Sequence, residues 1–261
     1  MAGWFFASQM LAIGDRYVIR LFLGEGPLGI YSANYSLISS AAGLLSGPVT
    51  FAAFPIVMKL WADGEKERLV MLLRDMTGWY AVLGAGMVGG TALVAQDLVG
   101  VILGPEFRSG YPVLLPVVVG LAFWGASMLG HKSLELHERT TWMVLGALGS
   151  AALNFLLNLV FVPTYGITAA AYTTALSYGV YALFVWFMSR RTSTPWQLPS
   201  TTVLVCALAA SIAYGAGLLP VPWAVTSPVA VLFEKAFRFV AVYVLVVLSS
   251  LVLGRRLRVM T

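Results

Sequence analysis

Long apolar runs, repeated from one end of the chain to the other, leave few folds open to it. They fall at about residues 3–23, 28–58, 77–103, 111–137, 141–162, 166–189, 200–219 and 234–253. A spanning helix needs roughly 20 mostly apolar residues. In hydrocarbon every backbone N–H and C=O has to be paired, and runs of this length pair as helices. Composition points the same way: 59% of the residues are hydrophobic and 10% charged, where a soluble domain carries about 25% charged residues. The expected fold is an all-α, polytopic membrane helix bundle of about eight transmembrane helices.

The second run is longer than a bilayer needs, so its last turns are expected to project beyond it. Within it Pro48 and Pro55 lie on one face, and each removes a helical hydrogen bond and favours a bend. Short connections rich in Gly and Pro, GEGPLG (24–29), GPEFRSGYP (104–112) and VPTYG (162–166), read as turns. The most charged connection is KLWADGEKERLVMLLRDMTGW (59–79). Leu69, Leu72, Leu73 and Met76 recur in it at helical spacing, which predicts an interfacial helix leading into the third span.

Basic residues are scattered over the connections and form no single patch, which argues against nucleic acid as a partner. Lys59, Lys66, Arg68, Arg74, Lys132, Arg139, Arg190, Arg191, Arg255, Arg256 and Arg258 fall on one side of the expected topology. Only Arg108, Lys235 and Arg238 fall on the other. The bias predicts that both ends of the chain are cytoplasmic. Met1 runs into WFFASQML without a basic region before it, so no cleaved leader is expected. The lone Cys206 permits no internal disulfide.

No GxxxxGK[ST], GxSxG or HExxH motif occurs, and no nucleophile, acid and base stand at useful spacing. An enzyme is not expected. His131 and His137 are six apart and do not share a helix face, so no metal site is expected, and no cofactor.

The informative exception is AIGDRYVIRLFLG (12–24), where Asp15, Arg16 and Arg20 sit inside an apolar run. Arg16 and Arg20 share a face with Gln9, and Asp15 and Ser8 form the neighbouring stripe. Charges at membrane depth cost about 2.5–3.5 kcal/mol each on insertion scales and normally face a protein interior or a wet cavity. The stripe is therefore read as lining a cavity with net positive charge, suited to a phosphate or pyrophosphate. The competing reading has Arg20 reaching outward and Asp15–Arg16 as a structural ion pair. Further polar positions at membrane depth are Tyr31, Asn34 and Tyr35 on the second span, Lys132 at the end of the fourth, and Asn154 and Asn158 on one face of the fifth. The alternative reading makes Tyr31, Asn34, Asn154 and Asn158 helix-to-helix glue, Thr173 and Thr174 packing residues that let helices approach closely, and Lys132 a solvated helix end. The candidate substrate pathway comprises Asp15, Arg16, Arg20, Tyr31, Asn34, Lys132, Asn154 and Asn158.

The run NFLLNLVFVPTYGITAAAYTTALSY (154–178) resembles a signature of polysaccharide flippases, which belong to the multidrug/oligosaccharidyl-lipid/polysaccharide exporter superfamily. Its parts are Asn154 and Asn158, then Pro163, Gly166 and Ile167, then a small-residue helix with Thr and Ser. Thr168 stands where the family usually has Gly. Earlier in the chain, DRYVIRLFLGEGPLGIYSANYSL resembles the family's seventh helix, turn and eighth helix, FPIVMKLWADG the Pro-containing end of that eighth helix, and VILGPEFRSGYPVLLP the loop between the ninth and tenth, in the same order. The resemblance covers residues 1–190 well and 191–261 loosely. It implies that 1–190 form a six-helix C-terminal lobe and that 191–261 add two helices and a basic tail. The N-terminal lobe would come from the same gene or a separate subunit.

The implied activity is translocation of polyprenyl-pyrophosphate-linked oligosaccharide by alternating access, for polysaccharide or lipopolysaccharide synthesis in a bacterial inner membrane. Membrane lipid and lipid-linked oligosaccharide are the expected partners. Alternatives are a flippase for a peptidoglycan lipid precursor, a multidrug antiporter, and a truncated fragment that does not transport. A cationic drug prefers a net-negative cavity, and Asp15 is the only carboxylate deep in the first span, which disfavours the antiporter.

Overall fold

In the computed structural model the backbone is described for residues 2–220 and 227–259. The side chains of Ala2, 45–46, 48–53 and 251–259 lie outside the description, and with them Pro48, Arg255, Arg256 and Arg258. Helix α1 spans Ala2–Leu23, α2 Glu25–Ala62, α3 Lys66–Ile102, α4 Leu114–Leu136, α5 Thr140–Ser189, α6 Ser200–Leu218 and α7 Pro228–Val259. A 3₁₀ helix, Pro105–Val113, joins α3 to α4. Among the described residues there is no strand.

Four of these, α3, the 3₁₀–α4 run, α5 and α6, are long and apolar enough to cross a membrane. The charged α1 does not meet that measure, and α2 and α7 contain residues outside the description.

Helix α5 is two spans in one. Its 50 residues break at Gly166, with φ 69° and ψ −157°. The arms 140–165 and 167–189 fold back as an antiparallel hairpin: Asn158 meets Thr173, and Asn154 meets Thr174. Pro163 stays within the first arm. Positive φ with extended ψ is open essentially to Gly alone and costs other residues about 1–3 kcal/mol. Gly166→Ala is expected to destabilise the protein by that amount and lower its thermal midpoint, which detergent-phase unfolding would register.

The predicted interfacial helix is not a separate element. The chain turns over Asp63, Gly64 and Glu65, and α3 then runs unbroken for 37 residues. At 1.5 Å per residue α3 is about 55 Å long, against a hydrocarbon core of about 30 Å. The end of α2 and the start of α3 thus form a projecting hairpin. Leu69 and Leu73, fully buried, close it against Val57 and Leu136. The helical spacing of the apolar residues holds, but the segment is the first turns of α3 and not a helix of its own. α2 remains helical through Pro48 and Pro55.

The α5 hairpin packs between α1 and α4, α2 touches α1, α3 and α4, and α6 and α7 pack on each other and on α3. Apolar burial drives no helix association in lipid, so close packing and interhelical polar bonds do the work. Gly120 illustrates this: a Cβ there would stand 3.0 Å from the Cα of Ala175. The segment 190–200 is docked by Trp196, whose indole N–H donates to Thr77 Oγ1 at 2.8 Å.

Antiparallel packing sorts the helix ends. The start of α1 meets the end of α4 through Trp4 and His131, and the ends of α2 and α4 meet at the start of α3. Lys59, Lys66, Arg68, Lys132, Arg139, Arg190 and Arg191 therefore gather at one end of the bundle, here called the basic end. Lys235, paired with Asp97 at 2.6 Å, and Arg238, bound to Ala216 and Leu219 carbonyls, lie at the other.

Candidate functional site

The two polar stripes of α1 part company in the structure. Asp15 and Ser8 turn inward, 0% and 6% exposed. Gln9, Arg16 and Arg20 lie on the side left open, Arg16 half-buried and the other two exposed.

Asp15 is the hub of a buried hydrogen-bond chain. Its Oδ2 accepts from the Tyr31 hydroxyl of α2 and from Thr174 Oγ1 at 3.2 Å. Its Oδ1 accepts the Arg16 backbone N–H at 2.8 Å. Thr174 in turn accepts from Asn154 Nδ2 at 3.2 Å, and Asn154 Oδ1 accepts from Asn158 Nδ2 at 3.0 Å. Thr173 closes the chain by donating to Asn158 Oδ1 at 2.6 Å. The network ties α1, α2 and both arms of α5 together. Sequence spacing does the placing: Asn154 and Asn158 are one turn apart, and the Gly166 fold sets Thr173 and Thr174 opposite them. A buried carboxylate without partners is costly, and here neutral donors answer it. Among the described residues Asp15 forms no salt bridge with Arg16 or Arg20.

Arg16 lays its guanidinium over the Tyr35 ring, 4.9 Å from the centroid. Arg20 pairs with Glu25 at 2.7 Å near the α1–α2 turn, with side chains 66% and 69% exposed. A pair that exposed contributes about 0–1 kcal/mol.

Of the eight candidate residues, Asp15, Tyr31, Asn154 and Asn158 come together, with Arg16 beside them. The other three, Arg20 at the α1–α2 turn, Asn34 and Lys132, lie apart. Asn34 is buried and donates to the Ile30 and Phe107 carbonyls, both at 2.9 Å, so it fastens the 3₁₀ helix. Lys132 pairs with Glu135 at 2.7 Å and stands 4.9 Å from the Phe54 ring centroid, at the basic end.

Sequence reasoning gave Thr174 a packing role and overlooked the cluster around His131. There, Trp4 Nε1 donates to the Tyr181 hydroxyl at 2.9 Å, and that hydroxyl also meets His131 Nε2. Trp124 stacks between Trp4 and Tyr181 and touches Tyr178. No sequence periodicity brings residues 4, 124, 131 and 181 together; only the fold does.

A separate groove of about 940 Å³ lies between α3, α4, the second arm of α5 and α6. Its walls are apolar, with Ala, Gly, Val and Leu predominating, and neither α1 nor α2 contributes to it.

No protein-family model matches the chain. Its fold is that of a solved lipid II flippase MurJ in an inward closed conformation. The TM-score is 0.79 at 16% identity, over 96% of this chain and 52% of that one. The likeness therefore takes in α6 and α7 as well as the first 190 residues. In sequence, the chain is 23% identical over 178 residues to a probable low-salt glycan biosynthesis flippase, Agl15, of Haloferax volcanii. That match covers 68% of this chain and 37% of the relative. It is 22% identical over 138 residues to an uncharacterized membrane protein of Methanocaldococcus jannaschii, covering 52% of this chain and 27% of that protein. The chain thus spans well under two thirds of the length of the relatives it matches.

These likenesses are to flippases: in sequence to a probable glycan biosynthesis flippase, and in fold to a lipid II flippase.

Proposed function

We infer that the chain acts as the C-terminal lobe of a flippase that moves polyprenyl-pyrophosphate-linked oligosaccharide across the membrane by alternating access. One observation carries this reading: the open face of α1. Phe6, Gln9, Ile13, Arg16 and Arg20 follow one another at three- and four-residue steps, and none is buried. An arginine part-way along a spanning helix is too costly to set against lipid, so the face is suited to a wet cavity shared with an opposing lobe. A pyrophosphate headgroup meets Arg16 and Arg20 there, while its tail stays in apolar surroundings. The protein does no chemistry on the cargo.

The concentration of cations at one end of the bundle supports placing that end in the cytoplasm. Residues 1–190 then form the transporting lobe, and 191–261 a helix pair added against α3. The likeness to MurJ favours a second reading, in which the cargo is a peptidoglycan lipid precursor. Both cargoes are lipid pyrophosphates and call on the same arginines. Competition between the two lipids in reconstituted vesicles separates the readings.

Arg16→Ala and Arg20→Ala are each expected to lower glycan export about 10- to 100-fold, the loss of one charge-assisted contact. Export of surface glycan at the unaltered rate in both variants would remove the assigned cavity.

A further inference from the structure

We propose that the groove between α3, α4, the second arm of α5 and α6 holds an acyl chain of an anionic phospholipid, whose phosphate is held at the basic end by Arg74 and Arg190. The groove lining runs from Thr77 to Ala92 on α3 and from Tyr172 to Trp186 on α5. At 1.5 Å per residue these stretches rise about 21–22 Å, more than one leaflet's share of a hydrocarbon core of about 30 Å. An extended chain lies along it without folding. Left empty, such walls forfeit their dispersion contacts.

The two mouths differ in charge. On α3, Arg74 precedes the lining positions Thr77, Ala81, Gly84 and Val88 at steps of three or four residues, so it continues the groove face by one turn. Asp75, its neighbour, is turned about 100° around the helix. On α5, the Arg190 guanidinium lies 4.8 Å above the ring of Trp186, itself a wall residue. Both arginines are exposed, and among the described residues neither has an acidic partner. At the opposite end the cations are Arg108 on the 3₁₀ helix, Lys235, paired with Asp97, and Arg238, paired with Glu234, and the next turn of each lining helix (93–96, 111–114, 168–171 and 215–218) itself carries no Lys or Arg. A tailed anion therefore enters with its phosphate at the basic end, where tryptophans and arginines suit the headgroup region.

A bulk phospholipid is the occupant, and the transported lipid is not. No wall residue comes from α1 or α2, so the groove is separate from the α1 face assigned to cargo.

The test is lipid retention by native mass spectrometry, with the chain released from nanodiscs of phosphatidylcholine and phosphatidylglycerol. The chain is expected to keep phosphatidylglycerol in preference to phosphatidylcholine. The Arg74→Ala/Arg190→Ala double variant, altered only at exposed positions, is expected to hold it about 30-fold less well. Ala207→Trp, which fills the groove from an exposed wall position, is expected to lose the lipid with both arginines intact. Equal retention of the two lipids, or phosphatidylglycerol retention unchanged in either variant, overturns the proposal. So does displacement of phosphatidylglycerol by undecaprenyl phosphate, which would give the groove to the cargo.

Discussion

Replacing Asp15 by Ala loosens α1 from the lobe, while Asp15→Asn leaves most of the attachment in place. The difference lies in which oxygen does the work. Tyr31 and Thr174 both donate to Oδ2, and Oδ1 serves only the Arg16 backbone N–H. An asparagine keeps one acceptor oxygen for the two hydroxyls and loses a single bond. Alanine leaves both hydroxyls without an acceptor. Each orphaned donor costs about 1–3 kcal/mol in water-soluble proteins. Polar contacts between membrane helices average only about 0.6 kcal/mol, because the unfolded helices find other partners in the bilayer. The expected loss for Asp15→Ala therefore lies between about 1 and 6 kcal/mol, with Asp15→Asn at half of it or less. Unfolding free energies in mixed micelles measure the order. Asp15→Ala and Tyr31→Phe are expected to be less than additive, since they break the same bond. Full additivity would show that the bond between them contributes nothing.

Trp196→Ala is the second large effect. The ring is 3% exposed, and a Cβ placed on Gly130 would stand 2.5 Å from it, so α4 is built around the indole. Its N–H reaches Thr77 on α3, and its backbone N–H is bound to Ser189 Oγ at 3.2 Å. Truncating a buried Trp to Ala costs about 3–5 kcal/mol. The segment 190–200 should then be cut by protease at a protein concentration and time that spare the wild type. Trp196→Phe keeps most of the volume and loses the bond to Thr77, so it should fall well short of the alanine variant. Equal damage from both would assign the stability to the hydrogen bond instead of the packing.

Much of the architecture is legible in apolar run length, because hydrocarbon forbids unpaired backbone. The helices fall where the runs do, and the one Gly between Asn158 and Thr173 marks the α5 hairpin. The first turns of α3 were harder to read. Charge at 65–75 looks like a connection, and only packing of Leu69 and Leu73 on Val57 and Leu136 shows a continuous helix. At the candidate site, spacing placed Asp15 beside the Arg16–Arg20 stripe and put Asn154 and Asn158 on one face. It did not reveal that Asp15 turns inward to Tyr31 and Thr174. Contacts 16 and 159 residues apart along the chain depend on how α2 and α5 fold back, which no local pattern records. The Trp4–Tyr181–His131 cluster is hidden for the same reason.

The function proposed for the chain is to help carry a lipid-linked glycan from one leaflet to the other. The sidedness of polyprenyl-pyrophosphate-linked oligosaccharide, measured in cells depleted of this protein, tests it most directly. The finished lipid-linked glycan is expected to accumulate on the cytoplasmic leaflet, out of reach of an added impermeant glycan-binding probe. Wild-type protein is expected to restore access, and the Arg16→Ala/Arg20→Ala variant is not. Normal access to the probe in the depleted cells would contradict it.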